Sequence, residues 1–203
     1  MLPDPRIARA PLRTRYGNFT IYVFSWSDNE QDNVLVLLPE KRSGMPIVRI
    51  QSACYTGEIF ESTDCDCHWQ LETSLKVVHN DGGIFIYMLR DGRGAGLLTK
   101  IRGMNLSYER GVDTADAYKE LGVKADPRDY SQAAYVLRHF GVSSLRLLTN
   151  NPRKIDGLVA EGFLVERVRL ESEPTVYNRD YLRSKALKLG HLMLAFGTDT
   201  QQG

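Results

Sequence analysis

The pattern of apolar and polar positions predicts short strands in the first part of the chain. Apolar runs at 19–24 and 34–38 are separated by a polar stretch at 27–33, which predicts a hairpin or meander of β-strands. A further strand is predicted at 46–50, shortly before the first cysteine.

The remainder of the chain alternates between strand and helix patterns. Strands are predicted at the continuously apolar run 83–89 and at 144–149 and 163–168. Helices are predicted where apolar residues recur every three or four positions, at 68–80, at 97–110 with Leu97, Ile101, Met104 and Tyr108 along one face, at 132–140, and from Pro152 with Ile155 and Val159 inward. This alternation predicts an α/β fold, with Met104 in the core and the least patterned loop at 172–182.

The charge of the chain is balanced. In its 203 residues, 26 Lys and Arg side chains oppose 25 Asp and Glu, for a formal net charge of +1. This balance argues against a disordered chain and against a nucleic-acid binder, which normally has a basic excess. No apolar run approaches the roughly 18 residues of a membrane span, and residues 1–13 do not have the pattern of a signal peptide. We therefore expect a cytoplasmic protein that binds neither membranes nor nucleic acid.

All three cysteines, Cys54, Cys65 and Cys67, fall in one short segment, which predicts a metal site and not a disulfide scaffold. Zinc accepts thiolates readily, and three ligands leave one tetrahedral position open for a water molecule. An open position is typical of catalytic zinc, because the bound water is acidified and becomes a nucleophile. The alternative is a closed structural zinc with His68 as the fourth ligand.

Two turns between a strand and a helix are candidate phosphate sites. The first contains Asp91, Gly92 and Arg93, and the second runs from Thr149 to Lys154. Backbone N–H groups at a helix N-terminus attract anions, and the second turn adds a hydroxyl and cations. A tight turn in the first case, and helix capping by an asparagine in the second, would explain the same residues without a ligand.

Together these motifs resemble the GTP cyclohydrolase II family, which includes the first enzyme of riboflavin biosynthesis. The resemblance runs from about 48 to 193. The blocks that carry it are Cys54-Tyr55-Thr56-Gly57, Cys65-Asp66-Cys67, Gly92-Arg93-Gly94-Ala95-Gly96-Leu97-Leu98 and Arg146-Leu147-Leu148-Thr149-Asn150-Asn151-Pro152.

The resemblance implies a homodimeric α/β enzyme with a mixed sheet flanked by helices and an N-terminal β meander. It implies a single domain at 1–203, made of a β subdomain at 1–45, a catalytic core at 46–196 and a frayed tail at 197–203.

The resemblance also implies the chemistry. Zinc on the three cysteines would activate the water that opens the guanine ring of GTP at C8, and Mg²⁺ would accompany the nucleotide. Arg128 would attack the α-phosphorus and expel pyrophosphate, with Asp126 as the proton acceptor. The substrate-binding positions would be Arg49, Gln70, Asp91, Gly92, Arg93, Thr114, Thr149 and Lys154.

Several residues depart from the family pattern. Gln51-Ser52-Ala53 stands where the family usually has His-Ser-Glu, and the other departures are Asp64 for arginine, His68 for glycine, Asp91 for glutamate and Met104 for an active-site tyrosine. Because a thioether cannot donate a proton, the product could keep the formyl group that the family releases as formate. The alternatives are a paralogue that acts on another purine or pyrimidine nucleotide, and a non-catalytic nucleotide-binding or regulatory protein with a structural zinc.

Overall fold

The computed structural model describes residues 2–41, 44–123 and 129–199. The strands are β1 (Arg6–Thr14), β2 (Gly17–Ser25), β3 (Val34–Pro39), β4 (Ile47–Ser52), β5 (Ile84–Met88), β6 (Ser144–Leu148) and β7 (Leu164–Val168). The helices are α1 (Tyr55–Glu58), α2 (Cys67–Asp81), α3 (Leu97–Arg110), α4 (Thr114–Glu120), α5 (Ser131–His139), α6 (Pro152–Ala160) and α7 (Arg179–Leu189). Within these residues, no helix is both long and apolar enough to cross a lipid bilayer.

In the described part of the chain, the strands form one sheet in the order β1-β2-β3-β5-β4-β6-β7. The strands from β1 through β3 to β5 pair antiparallel, whereas β5, β4, β6 and β7 pair parallel. This confirms the predicted α/β class, the mixed sheet and the N-terminal β meander. The division of the chain at residue 45 stays a prediction.

The central strand β4 is buried on both faces. Along β4, Val48 and Ile50 belong to a core cluster with residues of α5 and α6. Ile47, which points to the opposite face, packs with Leu75 and Val78 of α2. Because alternate residues of a strand face opposite sides, the apolar residues of β4 contribute to both layers.

The predicted core face of α3 is wrong. Ile101 is 46% exposed, Met104 is 37% exposed and Tyr108 is 91% exposed. The residue that this helix buries is Gly103, where an added Cβ would lie 2.9 Å from the ring of Tyr118 in α4. The helix therefore packs through a glycine, and its apolar stripe faces outward.

Two further predictions about helices need correction. Val159 of α6 was predicted to face inward but is 53% exposed, whereas Leu158 is fully buried. Lys154 and Leu158, one turn apart, form the inward face of this helix. The predicted loop at 172–182 ends earlier than expected, since α7 begins at Arg179 and buries Leu182.

The predicted frayed tail at 197–203 differs from the structure at Asp199, while residues 200–203 lie outside the described residues. Asp199 is 6% exposed, and its carboxylate accepts hydrogen bonds from Arg167 at 2.7 Å and Arg169 at 3.2 Å. Arg167 also donates to the backbone carbonyl of Thr149, so this ion pair joins the end of the described chain to the turn after β6.

We expect Asp199→Ala to lower the free energy of unfolding by about 3 kcal/mol, because it leaves a nearly buried guanidinium without its carboxylate. The control is Asp28→Ala, since Arg6 and Asp28 form an ion pair of similar length, 2.8 Å, that is exposed on both sides. That control should lose less than about 1 kcal/mol. Chemical denaturation measures both, and equal losses would contradict the assigned role of burial.

Candidate functional site

The three cysteines come together at the ends of two helices. Cys54 precedes α1, and Cys67 is the first residue of α2, with Cys65 in the turn before it. Their sulfur atoms all lie within 4.8 Å of one another, and the Sγ atoms of Cys54 and Cys65 are 3.9 Å apart. Tetrahedral zinc with bonds of about 2.3 Å holds its sulfur ligands about 3.8 Å apart. The donor set and its spacing therefore fit a zinc ion.

Gly57 allows this close approach. A Cβ added at Gly57 would lie 2.6 Å from the Sγ of Cys65 and 3.3 Å from the Sγ of Cys54. A side chain at this position would occupy the space between α1 and the sulfur atoms. The glycine of the first cysteine motif is therefore a steric requirement of the cluster.

The close spacing of the sulfur atoms shifts their pKa values. Hydrogen bonding with Cys65 and Cys67, and then the ammonium of Lys100 at 3.2 Å, lower the pKa of Cys54 well below its usual value. Hydrogen bonding with Cys54 raises the pKa of Cys65 to about 11 and raises that of Cys67. Zinc binds thiolates, so metal binding would release protons, and affinity for a metal should rise with pH.

Lys100, on α3, links the cysteine cluster to the glycine-rich turn. Its ammonium lies 3.2 Å from the sulfur of Cys54 and 3.1 Å from the carboxylate of Asp91. Burial alone would lower the pKa of Lys100, but the negative charges of Cys54 and Asp91 outweigh it and raise that pKa. A permanent cation therefore faces the sulfur cluster.

His68 points away from the cluster. Its Nδ1 lies 3.4 Å from the carbonyl oxygen of Glu58, and its Nε2 lies 3.6 Å from the carboxylate of Glu72. Among the described residues, the group with metal-ligand spacing contains the three cysteines and no histidine. The arrangement does not support His68 as a fourth ligand.

The cysteine cluster opens into a cavity of about 510 Å³. Most of the predicted site residues line this cavity, namely Arg49, Gln70, Asp91, Gly92, Arg93, Met104, Thr149 and Lys154. Thr114 is the first residue of α4. Asp126 and Arg128 lie outside the described residues. The roles of all these residues stay predictions.

The two predicted anion turns are ordered by their own side chains. Asp91 is 3% exposed and accepts hydrogen bonds from the backbone of Tyr55 at 2.8 Å and from Gly92, so its carboxylate joins the glycine-rich turn to α1. In the second turn, Asn151 caps α6 by accepting from the backbone N–H of Arg153. The structure therefore contains the asparagine helix cap that was the alternative to a phosphate site at this turn.

Glu58 is a partly buried carboxylate beside the cluster that the sequence analysis did not single out. It accepts hydrogen bonds from the backbone N–H of Cys54 at 3.2 Å, from Gln51 at 2.7 Å and from the hydroxyl of Tyr87. Burial raises the pKa of Glu58 against the effect of these bonds. Its position four residues after Cys54, which corresponds to one helical turn, is the feature of the sequence that could have placed Glu58 beside Cys54.

The comparisons with known proteins decide the family. The sequence profile of the family described as GTP cyclohydrolase II matches residues 5–169. The chain belongs to the GTP cyclohydrolase II family. The GTP cyclohydrolase-2 of Hahella chejuensis is 41% identical over 196 residues, which cover 95% of this chain and 94% of that protein. The predicted resemblance is confirmed, and relatives with this name are enzymes.

Other relatives are longer than this member of the GTP cyclohydrolase II family. The riboflavin biosynthesis protein RibBA of Staphylococcus saprophyticus is 41% identical over 187 residues, which cover 92% of this chain but 47% of that protein. The chain thus spans about half the length of such relatives. Among solved structures, the chain is similar to RibBX, a two-domain 3,4-dihydroxy-2-butanone 4-phosphate synthase from A. baumannii. The match covers 84% of this chain and 42% of RibBX, with a TM-score of 0.47 and 17% identity. This likeness is too weak to bear on fold or function.

We expect Gly57→Ala to raise the zinc dissociation constant at least about tenfold, because the added methyl group would displace the sulfur of Cys65. Competition with a chromophoric chelator measures the constant. The control is Gly44→Ala, whose Cβ would meet no heavy atom within 4 Å. Unchanged affinity in a folded Gly57→Ala protein would show that the cluster does not need this space.

Proposed function

We propose that this chain catalyses the zinc-dependent hydrolytic opening of the imidazole ring of GTP at C8, with release of pyrophosphate. The observation that carries the proposal is that three cysteines with the spacing of zinc ligands share one cavity with the two anion turns. A purine nucleotide needs both ends of such a cavity, one for the base and one for the phosphates.

Zinc bound to the three cysteines would supply a Lewis acid and a water of lowered pKa. The chain's own residues would bind and orient the nucleotide. Arg49 and Lys154 bring positive charge to the cavity and are held by backbone carbonyls, since Arg49 donates to Leu148 at 2.9 Å and Lys154 donates to Ile50 at 2.7 Å. These fixed cations lose little side-chain freedom when a phosphate binds.

The phosphate chemistry rests on the family resemblance. We propose that Arg128 attacks the α-phosphorus as Asp126 accepts its proton, that the bond to the β-phosphate breaks and that pyrophosphate leaves with Mg²⁺. Water then cleaves the phosphorus–nitrogen bond to free Arg128 and the nucleoside monophosphate. Within the cavity, Arg93 and the N-terminus of α6 supply further attraction for phosphate oxygens. The proposal includes a homodimer in the cytoplasm.

Met104 supports a product that keeps its formyl group. It lines the cavity that the cysteines share, at the position where the family usually has a tyrosine. A phenol can donate a proton or orient water, whereas a thioether does neither. We propose that the reaction stops at the ring-opened formamide, so that formate is not released.

Incubation with GTP and Mg²⁺ tests this proposal. We expect one pyrophosphate per nucleotide and a product with the mass of the formamidopyrimidine nucleoside monophosphate, with little formate. Met104→Tyr should raise formate release, because it restores the phenol, and Cys54→Ser should abolish ring opening. Formate equal to pyrophosphate in the unaltered protein would contradict formyl retention, and no turnover of any guanine nucleotide would reject the activity.

A second candidate function is the same chemistry on a different purine or pyrimidine nucleotide. Asp64 favours it, because this carboxylate lines the cavity at a position where the family usually has arginine. Two unit charges about 4 Å apart interact by about 4 kcal/mol at an effective dielectric of 20, so the reversed sign would weaken triphosphate binding. A thermal-shift screen across nucleotides would favour this candidate if another nucleotide stabilised the protein more than GTP.

The third alternative, a regulatory protein with a closed zinc, loses its support because His68 faces Glu58 and Glu72.

A further inference from the structure

Asp66, between two of the cysteines, is buried against the last helix. Its side chain is 2% exposed, and its Oδ1 lies 3.2 Å from the Nζ of Lys185 in α7, whose side chain is 11% exposed. The ring of Tyr181, one turn earlier in α7, lies 4.3 Å from the same ammonium. Movement of the turn at Cys65 and Cys67 would break this pair. It would leave a buried carboxylate without its partner, which is costly in free energy.

The second oxygen of Asp66 ties the same turn to the sheet. It accepts a hydrogen bond of 2.6 Å from Gln70, one turn into α2, and a longer one of 3.5 Å from Ser172. The side-chain oxygen of Gln70 accepts in turn from Arg49 of β4, also at 2.6 Å. Asp66 is therefore held from α7 on one side and from β4 on the other.

The connections continue to the first cysteine. Arg49 donates to the side-chain oxygen of Gln51 at 2.8 Å, and Gln51 donates to Glu58 at 2.7 Å. Glu58 accepts from the backbone N–H of Cys54. One continuous set of polar contacts therefore joins the segment of Cys54 to the turn of Cys65 and Cys67, and it is built from protein groups alone.

We propose that Lys185 is a positioning residue for the metal centre, which holds Asp66 so that the sulfur atoms of Cys65 and Cys67 keep the spacing a metal ion needs. The inference rests on the proposed zinc site. Lys185 also lines the cavity, but in this proposal it contacts neither the substrate nor the reacting atoms. Its effect on metal binding acts through Asp66, whose backbone joins the two cysteines.

The test compares full-length variants of two lysines in α7. Lys185→Met should raise the zinc dissociation constant about 10- to 100-fold, measured by competition with a chromophoric chelator, while Lys185→Arg should restore most of the affinity. The control is Lys188→Met on the same helix, because Lys188 pairs with Asp113 and Asp116, away from the cysteines. That control should bind zinc as the unaltered protein does.

Thiol reactivity provides a readout that does not need zinc. In the zinc-free protein, Lys185→Met should increase the rate at which Cys65 reacts with an alkylating reagent, mapped by mass spectrometry, whereas Lys188→Met should not. If Lys185→Met does not fold, Asp66→Asn removes the same charge pair with almost no change in size and should give both effects.

Three outcomes would overturn the inference. The first is unchanged zinc affinity and thiol reactivity in folded Lys185→Met. The second is the same result in Asp66→Asn, where that variant replaces Lys185→Met. The third is a loss of zinc affinity in Lys188→Met equal to that in Lys185→Met. An unaltered protein that binds no zinc would instead reject the proposed zinc site, and the alkylation rates would still decide whether Lys185 orders the two cysteines.

Discussion

The close approach of three sulfur atoms is the constraint on which the rest of the site depends. Three thiolates within 4.8 Å of one another would repel, so the fold must supply positive charge, and it must also leave room for the three sulfur atoms. This chain provides the first through Lys100 at the sulfur of Cys54 and the second through the missing side chain of Gly57. The polar contacts around Asp66 then fix the turn that carries the other two cysteines. Each of these groups comes from a different part of the chain.

The sequence was most informative where one pattern has one structural meaning. Strand β5 was predicted within about a residue because a short, continuously apolar run is typical of a strand buried on both faces. The stripe along α3 was misread, since periodicity shows that a helix is amphipathic but not which neighbour it meets. Strand β1 was missed because its residues are mostly exposed and lack an apolar run. Helix α7 was missed because its charged sequence is held by tertiary burial of Leu182 and Ala186.

The same distinction applies to the site. The cysteine cluster and the two turns that line its cavity were predicted because their residues lie in short, contiguous motifs, and the anion-binding role of the turns stays a prediction. Lys100, Glu58 and Lys185 were missed as parts of the site, because a lone lysine or glutamate acquires its meaning from partners distant in the sequence. Asp126 and Arg128 came from the family resemblance alone. Local motifs thus revealed the candidate metal ligands, and only the folded chain revealed which groups hold them in place.

The separation between Asp66 and Lys185, 119 residues along the chain, has a consequence for synthesis. Cys54, Cys65 and Cys67 lie close together in sequence, so the loop that joins them closes at a small entropic cost. Their segment leaves the ribosome long before the lysine that fastens it. We therefore expect a nascent chain to capture an ion weakly at first and to retain it firmly once its last helix has docked.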